Sequence, residues 1–261
     1  MKRFITLVLA LSLTVSTSAA FAEVLVDLTK ASLGHLPKNK IRVNYDPAYK
    51  KPRDYWAFPC KAVLGLYKGA EKLKGEDPLI LRASDGYKNH IKVEVLRNKD
   101  CFIAFALGEE KWDKELAWES FSHGKETSNP APFYLVWKNG DIRKDEDKPW
   151  PYALVSFESE DSQEEALTKP KDPTLNKGFA LYKSHCLSCH SINLVGGEIG
   201  FEMNVPKNVT EYLSFEFFSS FARAPESYRA KSKMPAQALR LEEFKEIWAY
   251  LQGKAKEKIP Y

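Results

Sequence analysis

Four cysteines fall into two pairs of unlike spacing in this chain of 261 residues, and they constrain what it can become more than any other feature. Cys60 and Cys101 stand far apart, whereas Cys186 and Cys189 are three apart and run straight into His190. What a cysteine can do depends on its compartment, and the chain's first residues speak to that. Lys2 and Arg3 precede an apolar run from Phe4 to Val15, and Ala20-Phe21-Ala22 follows as a small-residue cleavage site. A run of about a dozen residues suits a signal-peptide core, while a bilayer span needs about 20. Residues 1–22 read as a removed signal peptide, and the rest as a periplasmic protein in which disulfides can form. No later segment is apolar enough for a membrane span.

The close pair carries chemistry. Cys186-Leu187-Ser188-Cys189-His190 has the spacing CxxCH, the attachment signature for haem c. Two thiols three residues apart lie on nearly the same side of a helical turn. Each can add to one of the two vinyl groups on a haem edge, and the next residue then brings its imidazole to the iron. Cys186 and Cys189 are therefore the expected thioether positions of one covalent haem, with His190 as proximal iron ligand. A redox dithiol would want a thioredoxin-like strand–helix setting, and a zinc site would want a second Cys/His pair; neither is visible nearby.

The residues around this motif extend the reading. Gly178-Phe179-Ala180-Leu181-Tyr182 leads into it, and Ala249-Tyr250-Leu251 lies near the end of the chain. Residues 173–257 resemble a class I cytochrome c, which implies an all-α C-terminal domain whose first and last helices cross near the glycine–aromatic pair. For the distal ligand, His185 is too close to the motif to reach the other face of the ring, which leaves Met203 and Met234. The resemblance implies Met234, in the loop Ser232-Lys233-Met234-Pro235; for Met203 core packing is the ordinary alternative. Histidine–methionine ligation leaves no open iron position and suits single-electron transfer over bond chemistry or gas sensing. Arg223, Arg229, Lys231 and Lys233 run into that loop and form a candidate docking surface for redox partner proteins, or an ordinary solvated face.

Local pattern predicts C-terminal helices over Thr174–Cys186, Thr210–Phe221 and Leu241–Gly253. In the last, Phe244, Ile247, Trp248 and Leu251 share one face. Residues 159–172 are acidic and polar, read as a linker, and divide this domain (173–261) from residues 23–158. The N-terminal part predicts a strand-rich mixed α/β domain. Pro78–Leu81, Cys101–Leu107, Phe133–Trp137 and Trp150–Phe157 are short apolar runs. His90–Leu96 alternates as a half-buried strand would, Asp85-Gly86 marks a turn, and Ala62–Leu73 has helical spacing.

The role of this first domain is the open part of the reading. Cys60 and Cys101 suit a disulfide, with free thiols or a metal-ligating cysteine as the alternatives. Asp85-Gly86-Tyr87, Pro132–Trp137 and Trp150–Val155 resemble shortened relatives of the sulfite-oxidase-type molybdopterin-binding fold. Neither cysteine stands in the context of that family's molybdenum ligand, so molybdopterin is not expected. His35, His90 and His123 are dispersed, as surface or structural histidines are. With a formal charge of only +4, nucleic acid is not an expected partner. Two function classes stand side by side: an electron carrier whose first domain docks partners, and an oxidoreductase whose first domain reduces the haem.

Overall fold

The computed structural model describes residues 23–108, 118–123, 126–144, 148–160 and 162–260; the expected signal peptide lies outside them. In chain order the first part runs β1 (Val24–Asp27), β2 (Asn39–Val43), β3 (Arg53–Pro59), α1 (Cys60–Leu64), β4 (Pro78–Ala83), β5 (Lys88–Lys92), α2 (Val93–Arg97), β6 (Cys101–Leu107), β7 (Phe121–His123), β8 (Glu126–Ser128), β9 (Tyr134–Trp137) and β10 (Leu154–Ser159). Two four-stranded antiparallel sheets result, ordered β1-β10-β4-β5 and β2-β3-β6-β9. Leu79, Leu81 and Phe157 of the first sheet share one core with Phe58, Ile103 and Leu135 of the second. A second core, with Tyr55, Ala104, Tyr134 and Val136, covers the other face of the second sheet. Burial on both faces explains why β6 and β9 read as unbroken apolar runs without alternation.

Two local expectations change. The alternating segment His90–Leu96 stops being a strand at Lys92, and Val93–Arg97 coils into α2. Val93 and Leu96 are three apart and both fully buried, so a helical turn puts both on the core, whereas a strand would turn them to opposite faces. Ala62–Leu73 is helical only to Leu64, with a short 3-10 turn at Ala70–Lys72, because Gly65 and Gly69 interrupt it. The remaining N-terminal cysteines are joined, Cys60 to Cys101, with an S–S bond of 2.07 Å in the middle of the first core.

The rest of the chain holds α3 (Ser162–Thr168), α4 (Asn176–His185), β11 (Ser191–Ile192), β12 (Val195–Gly196), α5 (Phe215–Arg223), α6 (Pro225–Tyr228) and α7 (Leu241–Lys254). This corrects the fold class. Among the described residues the molecule is strand-rich, with four sheets, and no distinct all-α cytochrome domain stands behind the first part. Within residues 173–260 the helices are separated by the β11–β12 hairpin and by long stretches, 197–208 and 229–240, that are neither helix nor strand. Asn193 and Leu194 both take positive φ, 53° and 66°, which is the tight two-residue turn that closes a hairpin. The helix expected over Thr210–Phe221 is displaced. A 3-10 turn at Val209–Glu211 is capped by Asn208, and α5 begins after Ser214, whose hydroxyl accepts from Phe217 N at 3.2 Å.

Helices α4 and α7 pack directly on each other. Gly178 lies where a Cβ would run into the Glu246 carbonyl oxygen, and the rings of Phe179 and Tyr182 meet Tyr250 at 5.6 and 5.3 Å. Gly253 lies inside α7 against Leu175 instead of capping the helix. The acidic stretch carries α3 and is tied to α7 and to the β11–β12 turn: Tyr250 donates its hydroxyl to Thr168 O at 2.7 Å, and Asn193 Nδ2 donates to Leu167 O at 3.0 Å. Among the described residues no helix is long and apolar enough to cross a membrane.

Candidate functional site

The residues of CxxCH close a tight turn off the end of α4. Cys186 N donates to Tyr182 O at 2.8 Å, His190 N to Cys186 O at 2.8 Å, and Cys189 N to Cys186 O at 3.1 Å. Tyr182, fully buried, turns its hydroxyl to the carbonyls of His190 and Ser191, both at 3.3 Å. The turn is thus anchored both to the helix before it and to the β11 strand after it.

His190 is buried, and its Nδ1 sits 2.9 Å from Phe201 O. A carbonyl can only accept, so Nδ1 carries the proton and Nε2 keeps its lone pair. Burial pushes the imidazole below its usual range, against the opposing pull of the Phe201 carbonyl, so it stays neutral. That is the tautomer an iron-ligating histidine needs. Gly200 packs on the ring so closely that a Cβ would overlap it, and the Phe201 ring meets it edge-on at 5.1 Å.

The loop that presents Phe201 is held by groups the sequence reading passed over. Glu202 accepts from the backbone of Asn193 at 3.0 Å, Leu194 at 2.9 Å and Asn204 at 2.7 Å. Asn193, Asn204 and Asn208 form a buried amide chain with links of 2.7 Å, closed on Leu251 O of α7 at 2.9 Å. Four polar side chains in a stretch with no helical or strand period were the available signal, since a buried irregular loop must satisfy its backbone with side chains.

Both thiols of the motif are free and half-buried. Burial pushes Cys186 up to about 12, with Cys189 adding to it, and pushes Cys189 up to about 11, with Asp85 adding. Redox dithiols work by the opposite shift, a depressed thiol beside positive charge. Among the described residues no group of three or more His, Cys, Asp or Glu gathers to hold a bare metal ion. Cys60 and Cys101, spent on each other, offer no thiolate to a metal. The donor set therefore fits a group that brings most of its own iron ligands, and haem c is such a group.

A cavity of about 290 Å³ opens beside Cys189. Lys233 and Pro235, the two chain neighbours of Met234, line it as well. Met234 is half-buried against the core of the helical part. Met203 is fully inside that core, and its N donates to Ser191 O at 2.9 Å, one residue from His190. The structure thus places Met203 in an irregular segment bonded to β11, just after the histidine, and Met234 in a loop beside the cavity. Arg223, Arg229, Lys231 and Lys233 are all exposed. His35 is exposed as well, while His90 is 3.3 Å from Glu160, which Lys183 also meets at 3.0 Å. Comparison with known protein families, curated proteins and solved structures finds no match to this chain.

Proposed function

We propose that this chain is an exported monohaem c-type electron carrier. One observation carries the reading: directly after two free cysteines at haem c spacing, His190 is fixed by Phe201 O with Nε2 left as the free lone pair. In this reading Cys186 and Cys189 would hold the group by thioether bonds, and His190 and Met234 would be the iron's protein ligands. Haem c supplies one-electron chemistry when bound. The chain's own work is to fix the histidine's tautomer, hold the methionine loop beside the cavity and keep water away. Vinyl addition requires reduced cysteines, and both cysteines of the motif are free. The Cys60–Cys101 disulfide supports an oxidising compartment, hence export.

Partners would dock on the basic run. Beside it, Phe217 and Tyr228 are exposed large aromatics, with ring centroids 5.5 Å apart and both packed on Phe221. A basic and aromatic surface suits an acidic redox protein, with steering by charge and anchoring by rings.

Acid–acetone treatment tests the attachment. The colour stays on the polypeptide, and Cys186→Ser with Cys189→Ser together abolish it. Haem that extracts freely from the native chain refutes the reading. The axial assignment has its own test. Met234→Ala removes the weak sulfur-to-iron absorption at the red edge of the ferric spectrum and lowers the reduction potential, while Met203→Ala keeps the band. The reverse pattern would make Met203 the ligand.

A further inference from the structure

We infer that the N-terminal part supplies the second wall of the haem site, with Tyr87, Trp150 and Tyr152 covering the ring edge bonded to Cys189. The inference rests on the haem reading above and adds to it residues that CxxCH does not announce. A thioether would put the ring edge two bonds from Cys189 Sγ, through the former vinyl carbon, and Cys189 opens on the cavity of about 290 Å³. The other side of that cavity comes from the first part of the chain: Tyr87 and Asn89 on the β4–β5 hairpin, and Trp150 and Tyr152 just before β10.

The cover is joined to the motif by backbone. Lys88 N donates to Ser188 O, inside CxxCH, at 3.1 Å, and Glu198 N donates to Gly86 O at 3.1 Å. Gly86 takes φ +90° at the hairpin turn, and a Cβ there would press on Glu198 Cβ at 3.1 Å, so the approach needs the glycine. Glu160, buried at the junction, holds His90 from one part at 3.3 Å and Lys183 from the other at 3.0 Å. The wall is also braced from behind. Tyr134 stands 6.5 Å from the Trp150 ring and 6.4 Å from the Tyr152 ring, and its hydroxyl shares the buried Asp46 carboxylate with Tyr55.

Such a wall has two consequences. Aromatic rings and the prolines Pro149 and Pro151 keep water from the edge, and a dry edge favours the less charged, reduced state. Small reductants in solution are also kept from that edge, so electrons reach it past the N-terminal part.

The test uses the full haem-loaded chain with Trp150→Ala. The equilibrium constant for reduction falls about tenfold, which is about 59 mV for one electron. The second-order rate of reduction by ascorbate rises several-fold. Tyr87→Ala removes a second ring of the same wall and serves as the second variant, with shifts of the same sign, should Trp150→Ala not fold. Covalent haem at the native level with unchanged potential and unchanged ascorbate rate in the folded variants overturns the inference. Absence of covalent haem from the native chain is read from a haem stain beforehand and overturns the haem reading itself.

Discussion

Gly178→Ala destabilises the helical part by about 3 kcal/mol, at the upper end of what overpacking a core costs. Alanine is the better helix former by about 1 kcal/mol, so propensity alone would predict a gain. Packing decides the sign. A Cβ at position 178 meets the Glu246 carbonyl oxygen, and Tyr250 Cβ stands 2.8 Å away; the first is backbone of a long helix and cannot swing aside. Relief comes only by parting α4 from α7, which pulls Phe179 and Tyr182 away from Tyr250. Tyr182 also holds the carbonyls of His190 and Ser191, so the loss reaches the histidine turn. Chemical denaturation of the native and variant chains, followed by near-ultraviolet circular dichroism, measures it. A variant midpoint at or above the native one would show that the helices can yield there.

Cys60→Ala with Cys101→Ala lowers the stability of the N-terminal part by about 4 kcal/mol. The bridge closes a loop of 41 residues, and removing a cross-link of that span frees about this much entropy in the unfolded chain. Against the 5–15 kcal/mol by which whole domains are stable, that is a large fraction. Alanine leaves no polar group in a site where both cysteines are fully buried. Reductant added to the folded native chain changes little, because the sulfurs are out of its reach, whereas reductant present during unfolding reproduces the variant's midpoint. Urea titration with and without reductant separates the two cases, and equal midpoints for native and double-alanine chains would refute the assigned stabilisation.

Much of the first part was legible because its signals are local. Cys101–Leu107 and Phe133–Trp137 read as buried strands from unbroken apolar runs, and β6 and β9 fall there, β9 starting one residue later. Helix α7 matches its periodicity to within a residue. Other segments were decided from a distance. His90–Leu96 alternates as a strand does, yet from Val93 it coils because two buried side chains three apart must reach one core. The C-terminal part was misread as all-helical because the resemblance rests on its helix-forming segments. Glycines, asparagines and Glu202 in between carry no period, and they fold into a hairpin and a buried loop.

The candidate site divides the same way. By itself the sequence put two thiols and an imidazole within five residues, which one turn of backbone brings together whatever surrounds them, and the proposed haem reading rests on that spacing. For the second ligand of that reading it left two methionines, Met203 and Met234. Only the tertiary structure decided that Cys60 and Cys101 are joined and not free thiols, which carbonyl fixes the His190 proton, and why Gly178 and Gly200 have no side chain. It alone set Tyr87, Trp150 and Tyr152 across a cavity from Cys189. Those contacts join residues tens to more than a hundred positions apart or depend on a bend the local code does not specify. Close packing of specific shapes selects them, and pattern along the chain records only which side chains are apolar.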